Sequence, residues 1–307
     1  MASPIKNVVL VGAGGNLGPS VLKEFLAASP PLNITVLTRP ESKSTFPPTV
    51  KVIQTDYTAP SLTTALTNAN ADALISLVGT PGFAAQKTLI DAAIAAGVQR
   101  FIPSEYGSDT SNAAVVSLVP FLAAKRQVVE YLVSKESATF SWSALITGPF
   151  FDWGLKVGFL GFDVQGRKAR VWDGGEAAFA ATDLATVGRA LVGLVGDAGA
   201  YEKARNRYVY VAGHVVTQRE VLKALERATG GEKWEVVEEV DVGERVQATN
   251  EKLARGDFGT ATDLILAATY GREKELGKFP ELWNDVLGLP EGDLDRTVRE
   301  VVEGKRP

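Results

Sequence analysis

Residues 7–26 read NVVLVGAGGNLGPSVLKEFL: an apolar run, four closely spaced glycines, and then an amphipathic stripe. The run Asn7–Val11 has the character of a buried strand, while Leu17, Val21, Leu22, Phe25 and Leu26 recur at helical spacing. A strand that enters a glycine turn and leaves as a helix must pack that helix back on its sheet. The turn then sits beyond the strand's carboxyl end. There the helix N-terminus offers unpaired N–H groups and a positive dipole end, which suits a pyrophosphate. Glycine serves where φ is positive or where backbone must approach phosphate closely. The common G-x-G-x-x-G register would put a glycine at position 17, where this chain has Leu17. The series present is Gly12-x-x-Gly15-x-x-Gly18, so Gly12, Gly14, Gly15, Asn16, Leu17 and Gly18 form the expected phosphate turn.

The first half repeats this alternation. Strand-like runs at Asn7–Val11, Asn33–Thr38, Val50–Thr55, Ala73–Leu77, Arg100–Pro103 and Ser141–Ile146 are separated by helical stripes such as Leu89, Ala92, Ala93 and Ala96. That pattern predicts α/β architecture: a doubly wound parallel sheet with ligand loops outside the strands' carboxyl ends. After Gly148 aromatics and turn formers dominate, as in Gly148-Pro149-Phe150-Phe151-Asp152-Trp153-Gly154. The expected division is a nucleotide-binding domain over 1–150 and a smaller α/β substrate domain over 151–307. Residues 178–195 are expected to pack back on the first domain. Asp173-Gly174-Gly175 reads as a hairpin-like turn, Arg207–Val211 and Trp234–Val237 as short strands, and Gln218–Thr229 and Val242–Arg255 as helices.

The second strand bears on which dinucleotide is bound. An NAD site places an acidic residue about 20 residues on, against the ribose 2′-hydroxyl. Here Ile34–Leu37 ends in Thr38-Arg39 with Lys43 close behind. A guanidinium at that point either grips a 2′-phosphate as a fork or is a solvent arginine, and the first reading favours NADP(H). Asp56 after the third strand is placed to accept from the adenine amino group. Val78, Gly79 and Thr80 end the fourth strand where the cofactor lies close.

Within Pro120–Val133, PFLAAKRQVVEYLV, Phe121, Lys125, Val128, Val129 and Leu132 share one helical face, and Arg126 and Glu130 share the other. A lysine in an apolar stripe either snorkels or points into the cofactor crevice, where burial lowers its pKa toward proton-transfer range. Phe121-x-x-x-Lys125 stands where short-chain dehydrogenases carry Tyr-x-x-x-Lys. Phenylalanine donates no proton, so Lys125, or a water it holds, becomes the candidate catalytic group.

Composition narrows the chemistry. The 307 residues include no cysteine and one histidine, His214, which excludes thiolate chemistry and leaves little to build a metal site from. A formal charge of −4 argues against a broad nucleic-acid surface. Val8–Val11 is too short for a signal core, and no stretch approaches the roughly 20 apolar residues of a membrane span, so a cytoplasmic protein is expected. Expected partners are a small-molecule substrate, with neither nucleic acid nor membrane, and the chain a monomer or homodimer. A Ser–His–Asp hydrolase is disfavoured, because G-x-S-x-G is absent and His214 reads as a loop residue.

The glycine spacing, Thr38-Arg39-Pro40, Gln86 in AAQKTLIDAAIAAGVQRFIPSEYG, and Lys125 together resemble the isoflavone reductase-like branch of the NmrA-like, atypical short-chain reductases. FFDWGLK (150–156), Asp173-Gly174-Gly175, NRYVYV (206–211) and Thr217-Gln218 look most like fungal members, and FIPSEYG (101–107) is the strongest signature. The resemblance implies a Rossmann-type fold, NADP(H), and reduction of small aromatic or phenolic compounds with Lys125 as the essential lysine. It further implies that Ser104 faces the nicotinamide or forms a turn. Phe150 and Phe151 either line the nicotinamide and substrate pocket or are core aromatics under the second domain, and Tyr106 and Trp153 wall the substrate pocket. Gly14-Gly15 departs from the Thr-Gly often seen in plant relatives. The rival to an enzyme is a redox sensor of the NmrA type that binds the dinucleotide and acts through a protein partner.

Overall fold

The computed structural model describes residues 5–306, the side chains of Thr80 and Pro81 excepted. The first half supplies β1 (Asn7–Val11), β2 (Asn33–Thr38), β3 (Lys51–Gln54), β4 (Ala73–Ser76), β5 (Arg100–Ile102) and β6 (Ser141–Ile146). The second supplies β7 (Phe162–Asp163), β8 (Lys168–Trp172), β9 (Ala178–Ala181), β10 (Arg207–Tyr210), β11 (His214–Thr217) and β12 (Glu235–Val240). Seven strands form one parallel sheet in the order β10-β6-β5-β4-β1-β2-β3. The chain leaves β1 toward β2 and β3, then returns to the other side of β1 for β4, so the connections diverge between β1 and β4. In sheets of this kind ligands bind at that switch point.

Both faces of the sheet are covered. Helices α1 (Gly18–Leu26), α2 (Ala59–Asn68), α3 (Gln86–Ala95), α4 (Ala113–Leu118) and α5 (Ala123–Ser134) come from the first half. Alternating residues explain the near-continuous apolar strands: Val8 and Leu10 of β1 pack with Val21 and Phe25 of α1, whereas Val9 and Val11 pack with Leu62, Leu89 and Leu132 from α2, α3 and α5. The second half adds α6 (Phe151–Lys156), α7 (Leu184–Gly196), α8 (Ala198–Lys203), α9 (Gln218–Ala228), α10 (Val242–Ala254), α11 (Asp263–Tyr270) and α12 (Leu294–Val302). Leu184, Val187 and Leu191 of α7 join the α1 side of the large core. Elsewhere in that half β8 pairs in parallel with β12 and antiparallel with β7, and β9 pairs antiparallel with β11. These elements, with α6, α9, α11 and α12, enclose a second core around Phe151, Trp172, Phe179 and Leu225.

The structure departs from the sequence reading at several elements. Arg207–Tyr210 is not a strand of the smaller region but the outer strand of the large sheet, because Tyr208 and Val209 alternate onto its two faces. Asp173-Gly174-Gly175 makes no hairpin: the strands on either side of this 3₁₀ turn, β8 and β9, pair with other partners. His214 is no loop residue but begins β11 and is buried. Phe121 precedes α5 in a 3₁₀ turn (Pro120–Leu122) and is 45% exposed, so it does not share the buried stripe of Val128, Val129 and Leu132.

Candidate active site

The phosphate turn lies at the switch point. Gly12 has φ +85°, and a Cβ there would stand 2.8 Å from the carbonyl of Leu77 and 2.9 Å from Val78 N. Only glycine lets the end of β1 pass that close to the end of β4. Gly18 opens α1, and a Cβ on it would stand 2.1 Å from Ala13 O. Leu17, expected in the phosphate turn, instead lies with its side chain in the core beneath it, 5% exposed. This accounts for the late third glycine. The leucine anchors the turn, and the next residue must be bare for the Ala13 carbonyl to meet the helix start. Between them Gly14, Gly15 and Asn16 are exposed, and Gly15 N donates to Gly12 O at 3.1 Å. The result is a cradle of main chain open to solvent.

Around the cradle, Thr38 is buried at the end of β2 and Arg39 is exposed. The Arg39 guanidinium lies 3.4 Å from Glu41 with both side chains more than two-thirds in solvent. Such a pair is worth about 0–1 kcal/mol, little enough for a phosphate to displace it. Lys43 lines a pocket of about 550 Å³ with Gly14, Lys23, Leu26 and Phe46, between α1 and the β2–β3 connection. Asp56 is occupied locally: its Oδ1 accepts from Thr58 N at 3.0 Å and Thr58 Oγ1 at 2.8 Å, and these bonds hold its carboxyl below the usual range. Gly79 is exposed just before a 3₁₀ turn (Thr80–Ala85), and the side chain of Thr80 lies outside the described residues.

Ser104 follows β5. Its hydroxyl donates to Val78 O at 2.7 Å and its N–H to Gln86 Oε1 at 2.9 Å, so it is committed to tying β5 to β4 and α3 rather than presented to a ligand. Glu105 comes next. Lys125 Nζ donates to the Glu105 carbonyl in a short hydrogen bond and lies 5.5 Å from the centre of the Phe83 ring. Half-buried, Lys125 has its pKa pushed down by burial and partly restored by Glu105. The Glu105 carboxylate is 1% exposed and accepts from Thr110 Oγ1 at 2.5 Å. Burial lifts it to about 7, against the pull of Lys125 and Thr110. Tyr106, expected to line the substrate pocket, is buried, has φ +29°, and carries a hydroxyl with no hydrogen-bond partner among the described residues.

The aromatics after β6 divide. Phe150 and Trp153 are half-buried against the large core, and Phe150 bridges to Thr182. Phe151, read either as a pocket or as a core aromatic, takes the second course: it is 0% exposed in the second core with its ring 4.5 Å from that of His214, leaving it no surface toward a ligand. Beside it lies a polar cluster the sequence reading did not single out. Asp183 accepts from Thr297 Oγ1 at 3.0 Å and Arg306 Nη1 at 2.6 Å and lies 3.3 Å from His214 Nε2, while Asp152 stands 3.5 Å from Arg306. Glu105 and Thr110 were missed as well. The one signal for them is an acidic residue two positions after the apolar run Phe101–Pro103, with Ser104 between. Among the described residues no group of three or more His, Cys, Asp or Glu side chains could hold a metal ion, and no helix is long and apolar enough to cross a membrane.

The sequence model of the NmrA-like family matches residues 4–251. The "Oxidoreductase aprR" of Aspergillus flavus is 35% identical over 97% of this chain and 99% of its own length. The "Oxidoreductase poxI" of Penicillium oxalicum is 32% identical over 95% and 92%. Among solved structures, AtPrR2 with NADP+ and (+)pinoresinol superposes with a TM-score of 0.78 at 19% identity, covering 97% of this chain and 99% of that one. Leucoanthocyanidin reductase from Vitis vinifera, in a ternary complex, gives 0.75 at 16% identity, covering 96% and 99%.

Proposed function

The chain belongs to the NmrA-like family, and from that premise we propose that it is an NADPH-dependent reductase of a small aromatic or phenolic compound, with Lys125 handling the proton. The observation that carries this reading is the position of Lys125: a half-buried lysine held against a main-chain carbonyl and an aromatic ring, on the strand-end side where the phosphate cradle also opens.

The residues present fit a dinucleotide. The Cβ-free approach at Gly12 and the exposed main chain of Gly14, Gly15 and Asn16 suit a pyrophosphate, with the α1 dipole behind them. Arg39 and Lys43 would take the 2′-phosphate, Arg39 by exchanging Glu41 for it. Bound NADPH supplies a hydride from nicotinamide C4. Reduction also requires a proton at the atom that gains electron density, and this reading gives that role to Lys125. Burial eases that loss, because a desolvated ammonium sheds its proton more readily. Phe150 and Trp153 would form the apolar wall that positions a ring. The aromatic character of the substrate is supported by that wall, by Phe83 under Lys125, and by the names of the reductases whose folds superpose.

Titrating the protein with NADPH and NADH, then following NADPH oxidation against aromatic carbonyls, enones and benzylic ethers, tests the reading. NADPH is expected to bind more tightly than NADH. Arg39→Ser should lose about tenfold in NADPH affinity, the worth of one charge-assisted contact. Lys125→Ala should bind NADPH yet lose turnover. Tight, selective NADPH binding with no turnover of any substrate class, and no effect of Lys125→Ala, would replace the enzyme with a cofactor sensor.

A further inference from the structure

Glu105 occupies an unusual place. Its carboxylate is almost wholly withdrawn from solvent just beyond the carboxyl end of β5, an interior strand of the sheet, while its own main-chain carbonyl receives Lys125. The carboxylate oxygen Oε2 faces Thr110, whose hydroxyl fixes it at 2.5 Å. Neither contact is needed to close the large core, whose two faces are filled by apolar side chains. A buried carboxylate is expensive unless hydrogen-bonded and charge-compensated, and so is a buried ammonium. Here the ammonium is held by the Glu105 main-chain carbonyl, and the two charges act on each other in the sense that offsets part of the cost of burial.

We propose that Glu105, fixed by Thr110, is a positioning residue that keeps the proton on Lys125, its carbonyl orienting the ammonium and its carboxylate supplying the compensating charge. The proposal rests on the reading of Lys125 as the proton-handling group and adds to it the device that sets how firmly that proton is held. No bond other than N–H is involved: the proton leaves Lys125 for substrate and is replaced from water.

Other groups face the pair. Asp109 and Tyr106 come from the same loop, and Tyr208 comes from β10 with Arg126 of α5 beside it. Burial lifts the Glu105 carboxyl to about 7, with Lys125 and Thr110 pulling it down and Asp109 adding a small push upward, so Glu105 titrates where small changes around neutrality alter its charge. Asp109 itself is engaged elsewhere, its Oδ1 accepting Ser111 Oγ at 2.6 Å. This leaves Glu105 as the acidic group that acts on Lys125.

The test reads the lysine directly in the full chain, without nucleotide or substrate. Lysines are reductively methylated with ¹³C-formaldehyde, Lys125 is assigned by the resonance that Lys125→Arg removes, and its midpoint is followed with pH. Glu105→Gln is expected to lower that midpoint by about one unit, the effect of losing one nearby opposite charge. Glu105→Asp, which keeps the charge, should restore at least half of the shift. Thr110→Val should move the midpoint the same way by less, and it carries the test if Glu105→Gln does not fold. Glu130→Gln, on the solvent face of α5 and paired with Arg126, should leave it in place. An unchanged midpoint in Glu105→Gln, or equal displacement by Gln and Asp, overturns the proposal. A shifted midpoint with no NADPH turnover would remove the reductase reading and keep the pair. Full turnover with an unshifted midpoint would do the reverse.

Discussion

Arg306 Nη1 lies 2.6 Å from Asp183 Oδ2 and 3.5 Å from Asp152 Oδ2. A single guanidinium beyond α12 therefore holds two carboxylates that stand at the starts of α7 and α6. Asp152 also accepts from Leu184 N at 3.0 Å, so the two helix starts are linked directly as well.

Removing that guanidinium should destabilise the fold most where both carboxylates are charged. Arg306→Ala is expected to lower the unfolding free energy by about 3 kcal/mol at pH 8, the lower end for a buried pair that loses one partner. Burial and the neighbouring Asp183 place the Asp152 carboxyl at about 6, so near pH 5 it is neutral and the loss should shrink. Urea denaturation at both pH values measures the difference; an equal loss at pH 5 and 8 contradicts the arrangement.

Stability should rise as the solution is acidified from pH 8 to about 5. Glu105 moves from 4.5 to about 7 and Asp152 from 3.8 to about 6 on folding, both chiefly by burial. Between those limits the folded chain binds more protons than the unfolded chain, so their contribution is present at low pH and lost as pH climbs through 6 and 7. Asp183 works in the other sense. Burial raises its carboxyl, but His214, Arg306 and Thr297 together hold it below 3.8, and its contribution disappears only in stronger acid. The melting temperature should therefore be higher at pH 5.5 than at pH 8, with a smaller rise in Glu105→Gln.

The glycines of the phosphate turn should separate by role. Gly18→Ala would put a methyl 2.1 Å from Ala13 O and is expected to cost about 1 to 3 kcal/mol of stability. Gly15→Ala meets nothing nearer than Gly12 O at 3.4 Å, so the fold should survive while NADPH affinity falls. Thermal melts alongside fluorescence titrations distinguish the two outcomes.

Ser104→Ala removes the donor to Val78 O. A loss of about 1 kcal/mol in stability is expected, with the NADPH dissociation constant nearly unchanged. A large change in cofactor affinity with no change in stability would mean that the hydroxyl serves the ligand after all.

Local pattern carried a good deal of this architecture. The boundaries of β1, β2 and β6 could be read from Asn7–Val11, Asn33–Thr38 and Ser141–Ile146, because strands buried on both faces leave near-continuous apolar runs broken only by small polar residues such as Thr35 and Ser143. The glycine turn was equally legible, since its strand and helix neighbours define it. What escaped depends on residues far apart in the chain. Nothing around Arg207 says that its strand pairs with Ser141–Ile146, and nothing around Arg306 announces Asp183, 123 residues away. Phe151 illustrates a different limit. Phe150 and Phe151 look alike in sequence, yet at the start of α6 their side chains diverge, one toward the large core and one wholly into the second. Glu105 was hidden inside a recognised signature, where the whole motif drew notice and the single carboxylate did not.

The placement of β10 has a mechanical consequence. After β6 the chain leaves the large sheet, builds β7, β8 and β9, returns through α7 and α8 to lay down β10, and departs again for β11 and α9. Each core thus waits on segments that lie on both sides of the other in the sequence. Neither can close by itself, and a fragment cut near residue 150 would expose an unfinished sheet edge at β6. Melting should accordingly run as one transition, so a ligand gripped at the glycine turn would steady the aromatic half of the molecule as firmly as its own.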